Sequence, residues 1–368
     1  MRHAPVYQTL VDLATLEERH ITQNYCLNRQ TIMEQCNQLE PDLLSAIHQP
    51  YAISPTVHML LVLHFLASGS FQITVGLAAG MSQPMFSHVS KDVLCTLLKH
   101  LDSYIRFPQR ADLSTVKADF YDIAHIPHVI GAIDGTHIAL VPPRANEQVY
   151  RNKKMFYSIN VQVVCFTDQY ISQGMAKFGT VYDSYIPRNS NVSHMMAQLQ
   201  RERGPGSLVC LQLYVCICYL TSLELLPSVT ISIVMCLIFV HTGESGYPNL
   251  PRLLTPVRYP ATAEEDRFKV AHGRMRRVIK RSFGLLVARF WCLHMSRGAL
   301  LYRPLKVCQI VVAYCMLHNL AMSRHIPLLD EEVAAGHVAN DGAIDSDEEA
   351  DNEDAADTRT ELIQQYFL

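Results

Sequence analysis

Two isolated acids carry the first chemical signal in the chain. Asp134 ends the apolar run Val129-Ile-Gly-Ala-Ile-Asp134, and Asp183 sits in Thr180-Val-Tyr-Asp-Ser184. Hydrolysis of a phosphodiester by divalent metals needs carboxylates that converge from different elements. Hard oxygen ligands suit Mg²⁺ or Mn²⁺, which activate water and stabilise the leaving oxygen. By themselves, the two acids are equally what turns and caps use, and that is the commoner role of an aspartate. A basic cluster follows downstream: Arg274, Arg276, Arg277, Lys280 and Arg281. It reads either as a phosphate contact or as a solvated helix face. Lys153 and Lys154 carry the same pair of readings.

The elements that must position these residues are legible from periodicity. Val129–Asp134 is short, apolar and β-branched, as a buried strand should be. Ile138-Ala-Leu-Val141 reads as strand up to Pro142-Pro143. In Ser158–Phe166, Ile159, Val161, Val163 and Cys165 alternate with Asn160, Gln162 and Val164, the clearest strand pattern in the chain. Thr167-Asp168-Gln169 predicts a turn into a further strand from Tyr170. A long helix begins at Thr262, where Thr262-Ala-Glu-Glu265 has the form of a capping box. Phe268, Ala271, Met275, Val278, Ile279, Leu285 and Leu286 continue it at helical spacing. A second apolar helix is predicted within Pro304–Met322. Strands followed by a helical half define an α/β or α+β domain.

Ahead of the strands the chain reads as helical. Ser54 stands at an N-cap with Pro55 at the first helical position, and Gly69 closes that helix. Phe71–Ala79, the break Gly80-Met81-Ser82 and the run from Gln83 predict helix, tight turn, helix, with Ser82 as cap. Val75, Leu77 and Ala78 are expected to face Phe86, Val89 and Val93. Gln83, Ser87, His88 and Lys91 would then be exposed on a recognition helix, the arrangement of a DNA-binding helix-turn-helix. A plain helical pair has the same pattern.

Bulk charge adds one asymmetry. Asp330 to Glu361 holds 13 acidic residues and one basic residue, Arg359, and the remainder carries 30 basic and 21 acidic residues, a net of +9. A basic body with an acidic tail suits a polyanionic partner, with the tail as an intramolecular competitor or only a solubilising segment. The 11 Cys residues include no zinc-type spacing. Residues from Met1 lack the apolar core of a secretory leader, so reduced thiols in the cytosol or nucleus are expected. The expected organisation is a helical region over 1–125, a strand-containing domain over 126–325 and a disordered acidic tail over 326–368.

One stretch differs from everything around it. Between Gly206 and His241 the only charged residue is Glu224, and Cys210, Cys216, Cys218 and Cys236 crowd together. Each half falls short of the ~20 apolar residues of a membrane span, and Pro227 interrupts the joined version, so no membrane is expected. A buried insertion and a foreign sequence, such as translated intron, are the other readings. The abrupt shift and the lack of periodicity favour the last, for residues 207–241.

An ordered series of motifs carries a resemblance. It runs Ile133-Asp-Gly-Thr-His-Ile138, Tyr157-Ser-Ile-Asn-Val-Gln-Val-Val-Cys165, Val181-Tyr-Asp-Ser-Tyr-Ile-Pro-Arg-Asn-Ser190 and Gly243-Glu-Ser-Gly-Tyr-Pro248. It continues with Leu253-Leu-Thr-Pro256, Arg281-Ser-Phe-Gly-Leu-Leu286, Leu300-Leu-Tyr-Arg-Pro-Leu-Lys-Val-Cys308 and Cys315-Met-Leu-His-Asn-Leu320. Over about residues 50 to 325 the chain resembles the PIF/Harbinger transposase family. The resemblance implies a ribonuclease-H-like α/β core behind an N-terminal helix-turn-helix region. It also implies a DNA endonuclease with a divalent metal (Mg²⁺ or Mn²⁺), a Myb-like DNA-binding partner protein, and residence in the nucleus, with the cytoplasm as a second compartment.

Residue by residue, Asp134 and Asp183 match the family's two metal-binding aspartates. Glu244 replaces the aspartate of a Gly-Asp-Ser-Gly-Tyr motif, so Asp134, Asp183 and Glu244 are the expected catalytic and metal-ligating set. Lys280 stands where the final glutamate belongs. A cation there reverses the local electrostatics and opposes metal binding, so impaired cleavage is expected. The alternative is a non-catalytic nuclear protein that binds DNA or a protein partner. Gln83, Ser87, Lys91, Arg276, Arg277 and Arg281 are the expected DNA contacts.

Overall fold

The computed structural model describes residues 13, 15–46, 54–106, 112–145, 147–178, 209–214, 232–237, 241–242, 253–293, 298–328 and 353–367. The chain divides into two compact units. One comprises residues 1–104, 284–300 and 306–339; the other comprises 105–283, 301–305 and 340–368.

The first unit is helical. It contains α1 (Glu18–Tyr25), α2 (Arg29–Ala46), α3 (Pro55–Ser68), α4 (Gln72–Ala78), α5 (Gln83–Lys99) and α6 (Leu101–Tyr104). The predicted ends of α3 are realised. The Ser54 side chain accepts from the Val57 N–H at 3.4 Å, and Gly69, at φ 62, donates its N–H to the Phe65 carbonyl. A Cβ at Gly69 would lie 3.0 Å from the Cys292 backbone, so close approach as well as backbone angle selects glycine there.

The α4–α5 turn forms as predicted, with Gly80 at φ 69 and the Met81 N–H donated to the Gly76 carbonyl. Its packing differs from expectation. Val75, Gly76 and Ala79 are buried, while Leu77 is 68% exposed and Ala78 lies outside as well. Gly76 faces Phe86, whose Cβ would lie 3.5 Å from a Cβ placed there, so the inward edge of α4 is Val75, Gly76 and Ala79. Ser82 occupies the N-cap of α5 without a side-chain capping bond.

The second unit is built on a sheet. It has α7 (Leu113–Ala124), then β1 (Gly131–Ala139), β2 (Ser158–Cys165) and β3 (Ile171–Phe178), with the paired β4 (Val209–Tyr214) and β5 (Ser232–Leu237). β6 (His241–Thr242) and β7 (Leu253–Leu254) complete a five-stranded sheet in the order β3-β2-β1-β6-β7. β2 runs antiparallel to β1 and β3, whereas β6 and β7 run parallel to β1. This mixed order is that of a ribonuclease-H-like core. The two strand fragments predicted around Asp134 are one continuous strand, because the register keeps pairing from Ala132↔Cys165 through Ala139↔Ser158.

One face of the sheet is a core. Ile138, Ile159, Val161, Val163 and Cys165 are buried, each aliphatic side chain contributing about 1.5–3 kcal/mol when fully removed from water. α8 (Ala263–Arg289) supplies the complement, burying Phe268, Ala271, His272, Met275, Ile279 and Ser282 at helical spacing. Its capping box forms: Thr262 Oγ1 accepts from the Glu265 N–H, and the Glu265 carboxylate accepts from the Ala261 N–H. Beyond Phe283 the helix belongs to the first unit.

α9 (Pro304–Ser323) is apolar and long enough to cross a membrane, but it is mostly buried, with Tyr314 donating to the Leu66 carbonyl inside the first unit. One expectation is corrected. The final part of the acidic tail is α10 (Glu353–Tyr366), not a disordered segment, because Ile363 and Phe367 find apolar burial. Part of the anomalous apolar stretch pairs as β4 and β5, with Cys210 opposite Cys236, although its composition carried no strand periodicity.

Candidate functional site

Asp134 lies in the middle of β1, opposite Val163 of β2, and is 5% exposed. A charge so removed from water needs compensation. One carboxylate oxygen accepts from the Gly135 N–H at 2.9 Å. The other faces the Arg276 guanidinium of α8 at 3.6 Å, and both side chains are largely buried. Arg276 reaches Asp134 because it follows the buried Met275 and sits one turn after His272. The His272 ring, held to the Leu254 carbonyl at 3.0 Å, ties α8 to β7. Burial pushes His272 down to about 4, a direction that Arg276 and Arg359 reinforce.

Beside this pair lies Cys165, fully buried and hydrogen-bonded with Ser282; burial pushes its thiol up to about 12. Lys280, one turn beyond Arg276, is half-buried. Between Arg267 and Arg289 the helix contains no Asp or Glu, so no change of helical register could bring a carboxylate from there to Asp134.

Asp183 and Glu244 lie outside the described residues. The parallel pairing sets Ala132 opposite Thr242. Asp134 and Glu244 each stand two residues beyond that pair in sequence. Among the described residues, no three of His, Cys, Asp and Glu gather as a metal site. With Arg276 on Asp134 and only cations at positions 276 and 280, these side chains do not fit a divalent ion.

A second polar group lies on the opposite face of β1, one residue out of phase with Asp134. His137 Nδ1 is 2.9 Å from Ser158 Oγ, and Asn152 Nδ2 donates to the same hydroxyl at 2.9 Å. Asn152 Oδ1 accepts from the Phe156 N–H. Burial, with a contribution from Lys154, holds the His137 imidazole down to about 4. Ser158 has no exposure, so no substrate reaches it, and the network fixes the 147–157 loop to the sheet. Sequence reasoning missed this group; strand alternation, which puts His137 opposite in sense to Asp134, was the available signal.

The basic cluster of α8 divides. Arg274, Arg277 and Arg281 are exposed at spacings of three and four, one stripe of the helix, while Arg276 and Lys280 turn inward. On α5, Gln83, His88 and Lys91 are exposed and Ser87 is half-buried.

Comparison with known proteins gives a family match that spans most of the sheet and all of α8. The model of the DDE superfamily endonuclease matches residues 133–210 and 236–319. The first stretch includes Asp134 and Asp183, the second Glu244 and Lys280; residues 211–235 fall between them. Over the two stretches the chain is similar to a DDE superfamily endonuclease domain. It is also similar to the harbinger-transposase-derived nucleases. It is 28% identical to "Putative nuclease HARBI1" of Bos taurus over 97% of this chain and 91% of the relative. The Homo sapiens protein of the same name is 28% identical over 84% and 79% of the two chains. "Protein ALP1-like" of Arabidopsis thaliana is 23% identical over 73% of this chain and 60% of that protein. No solved structure matches the chain at a significant level.

Proposed function

We propose that the chain is a transposase-derived DNA endonuclease whose metal-dependent phosphodiester hydrolysis is impaired and whose affinity for DNA persists. The observation that carries the reading is the cationic inward face of α8: Arg276 against Asp134, Lys280 one turn on, and no acid between Arg267 and Arg289. In the ancestral site Asp134, Asp183 and Glu244 would have held Mg²⁺ or Mn²⁺ together with an acid from this helix. Replacing that acid with a cation removes a ligand and adds repulsion toward the ion.

DNA binding needs none of this. The exposed Arg274, Arg277 and Arg281 and the exposed edge of α5, with Gln83, Ser87 and Lys91, supply contacts that phosphates and bases accept. A Myb-like partner and nuclear residence belong to the same proposal.

The test is strand scission of double-stranded DNA in Mg²⁺. The chain is expected to cut no better than Asp134→Asn, and Lys280→Glu is expected to cut more. Robust Mg²⁺-dependent cutting by the unaltered chain, abolished in Asp134→Asn, overturns the reading.

A further inference from the structure

We propose that Arg276 acts as the resident counter-ion of Asp134, occupying by its charge the role a divalent cation would have there, so that this carboxylate is closed to metal. The inference rests on the reading of Asp134 as a former metal ligand and adds the residue that has replaced the metal.

Three observations converge. Asp134 is buried, so its charge is tolerated only beside a positive partner or strong donors. The partner is a guanidinium, which stays charged at every pH a folded protein survives, so its pairing is permanent in a way a lysine's or histidine's is not. Arg276 is also fixed in place, because it sits between Met275 and Ile279, both fully buried, on a helix tied to β7 through His272.

Among the described residues, the neighbourhood of the pair offers a divalent ion no cluster of ligands in exchange. Cys165 is fully buried and hydrogen-bonded with Ser282, and one turn beyond Arg276 the helix carries the half-buried Lys280. An incoming ion would meet two cations on the helix and would have to displace one from a buried carboxylate. The ion pair also joins the strand that carries Asp134 to the long helix, a bridge that in a metal-dependent site the ion itself would provide. The second unit therefore holds its sheet-to-helix packing without metal.

The experiment titrates Mn²⁺ into the full chain, following free Mn²⁺ by electron paramagnetic resonance and thermal unfolding in parallel. Wild type is expected to show no Mn²⁺ site that Asp134→Asn removes, and no rise in Tm. Arg276→Ala is expected to gain Mn²⁺ affinity by about ten-fold or more, as removal of one adjacent charge allows. That gain should vanish in Arg276→Ala/Asp134→Asn. Arg276→Lys, which keeps the charge only while the lysine stays protonated, should bind Mn²⁺ more weakly than Arg276→Ala at pH 7 and approach it as pH rises.

A saturable Mn²⁺ site in wild type that Asp134→Asn abolishes overturns the proposal. So does an Arg276→Ala variant that folds yet binds Mn²⁺ no better than wild type. The first of these outcomes does not require Arg276→Ala to fold. Because the readout is ion binding and not scission, its failure is distinguishable from failure of the impaired-nuclease reading, which the Lys280→Glu assay tests separately.

Discussion

At the scale of single residues, the molecule is governed by how buried charges are compensated. Asp134 and Arg276 are both largely out of water, so each makes the other tolerable, and removing one leaves an uncompensated charge in a low dielectric. A double-mutant cycle of Asp134→Ala and Arg276→Ala, read by urea unfolding, is expected to give a coupling of about 1–2 kcal/mol. Additive losses would mean that the two groups are neighbours without interaction.

The two buried imidazoles make a separate, pH-dependent statement. His137 and His272 are both held down to about 4 in the folded protein by burial, whereas an unfolded chain protonates them near 6.5. The unfolded state therefore binds more protons between those values. Stability is fully present above about pH 6.5 and is lost as pH falls toward 4, on the order of 3 kcal/mol for each ring. Unfolding measured at pH 7 and pH 5 should show this loss, and His137→Asn should make the slope shallower.

At the scale of elements, α8 does the organising. Its buried stripe covers the sheet, its inward polar positions fall at Asp134, and its exposed stripe collects arginines. Its first turns also receive the C-terminus. Arg267 donates to the Phe367 carbonyl, with Nε at 2.9 Å. The Phe367 ring meets Phe268 edge-on at 5.7 Å. Arg359 of α10 lies at hydrogen-bond distance, 3.4 Å, from Thr255 Oγ1. These interactions explain why a segment with acidic composition is helical: two apolar side chains, Ile363 and Phe367, gain burial that composition averages away. Truncating Phe367 to Ala removes the edge-on ring pair and much of that burial. It should cost about 1–3 kcal/mol, visible as a drop of several degrees in Tm. An unchanged Tm would show that α10 contributes no stability to the second unit.

At the scale of the whole molecule, the relevant quantity is the distribution of charge and not its sum. A net of −3 conceals a body of +9 and an acidic stretch ending at Glu361. Binding to duplex DNA should weaken steeply with salt, because each neutralised phosphate releases counterions. Arg274→Glu, Arg277→Glu and Arg281→Glu together should lower affinity and make the plot of log K against log salt shallower, by about 0.9 for each phosphate no longer neutralised. EDTA should leave the binding unchanged. Deleting residues 329–352, which leaves α10 in place, should raise affinity if the acidic stretch competes for the same arginines; equal affinity would leave it a solubilising segment.

How much of this was legible in the residues follows from the range of the forces involved. Capping, turn chemistry and periodicity act within a few residues. Ser54 with Gly69, the Thr262–Glu265 box, the alternation in β2 and the length of α8 were therefore determined by the sequence itself. So was the lack of any acid between Arg267 and Arg289, because composition needs no fold to be read. Only the tertiary structure decided the partners of groups far apart in the chain. Nothing local tells Arg276 that it will meet Asp134, or tells Phe367 that Phe268 is waiting a hundred residues earlier. Nor does anything local tell Leu77 that the packing of Gly76 on Phe86 leaves it in water. Those outcomes come from packing a helix on a sheet, where a buried charge must find whichever opposite charge the geometry brings within reach.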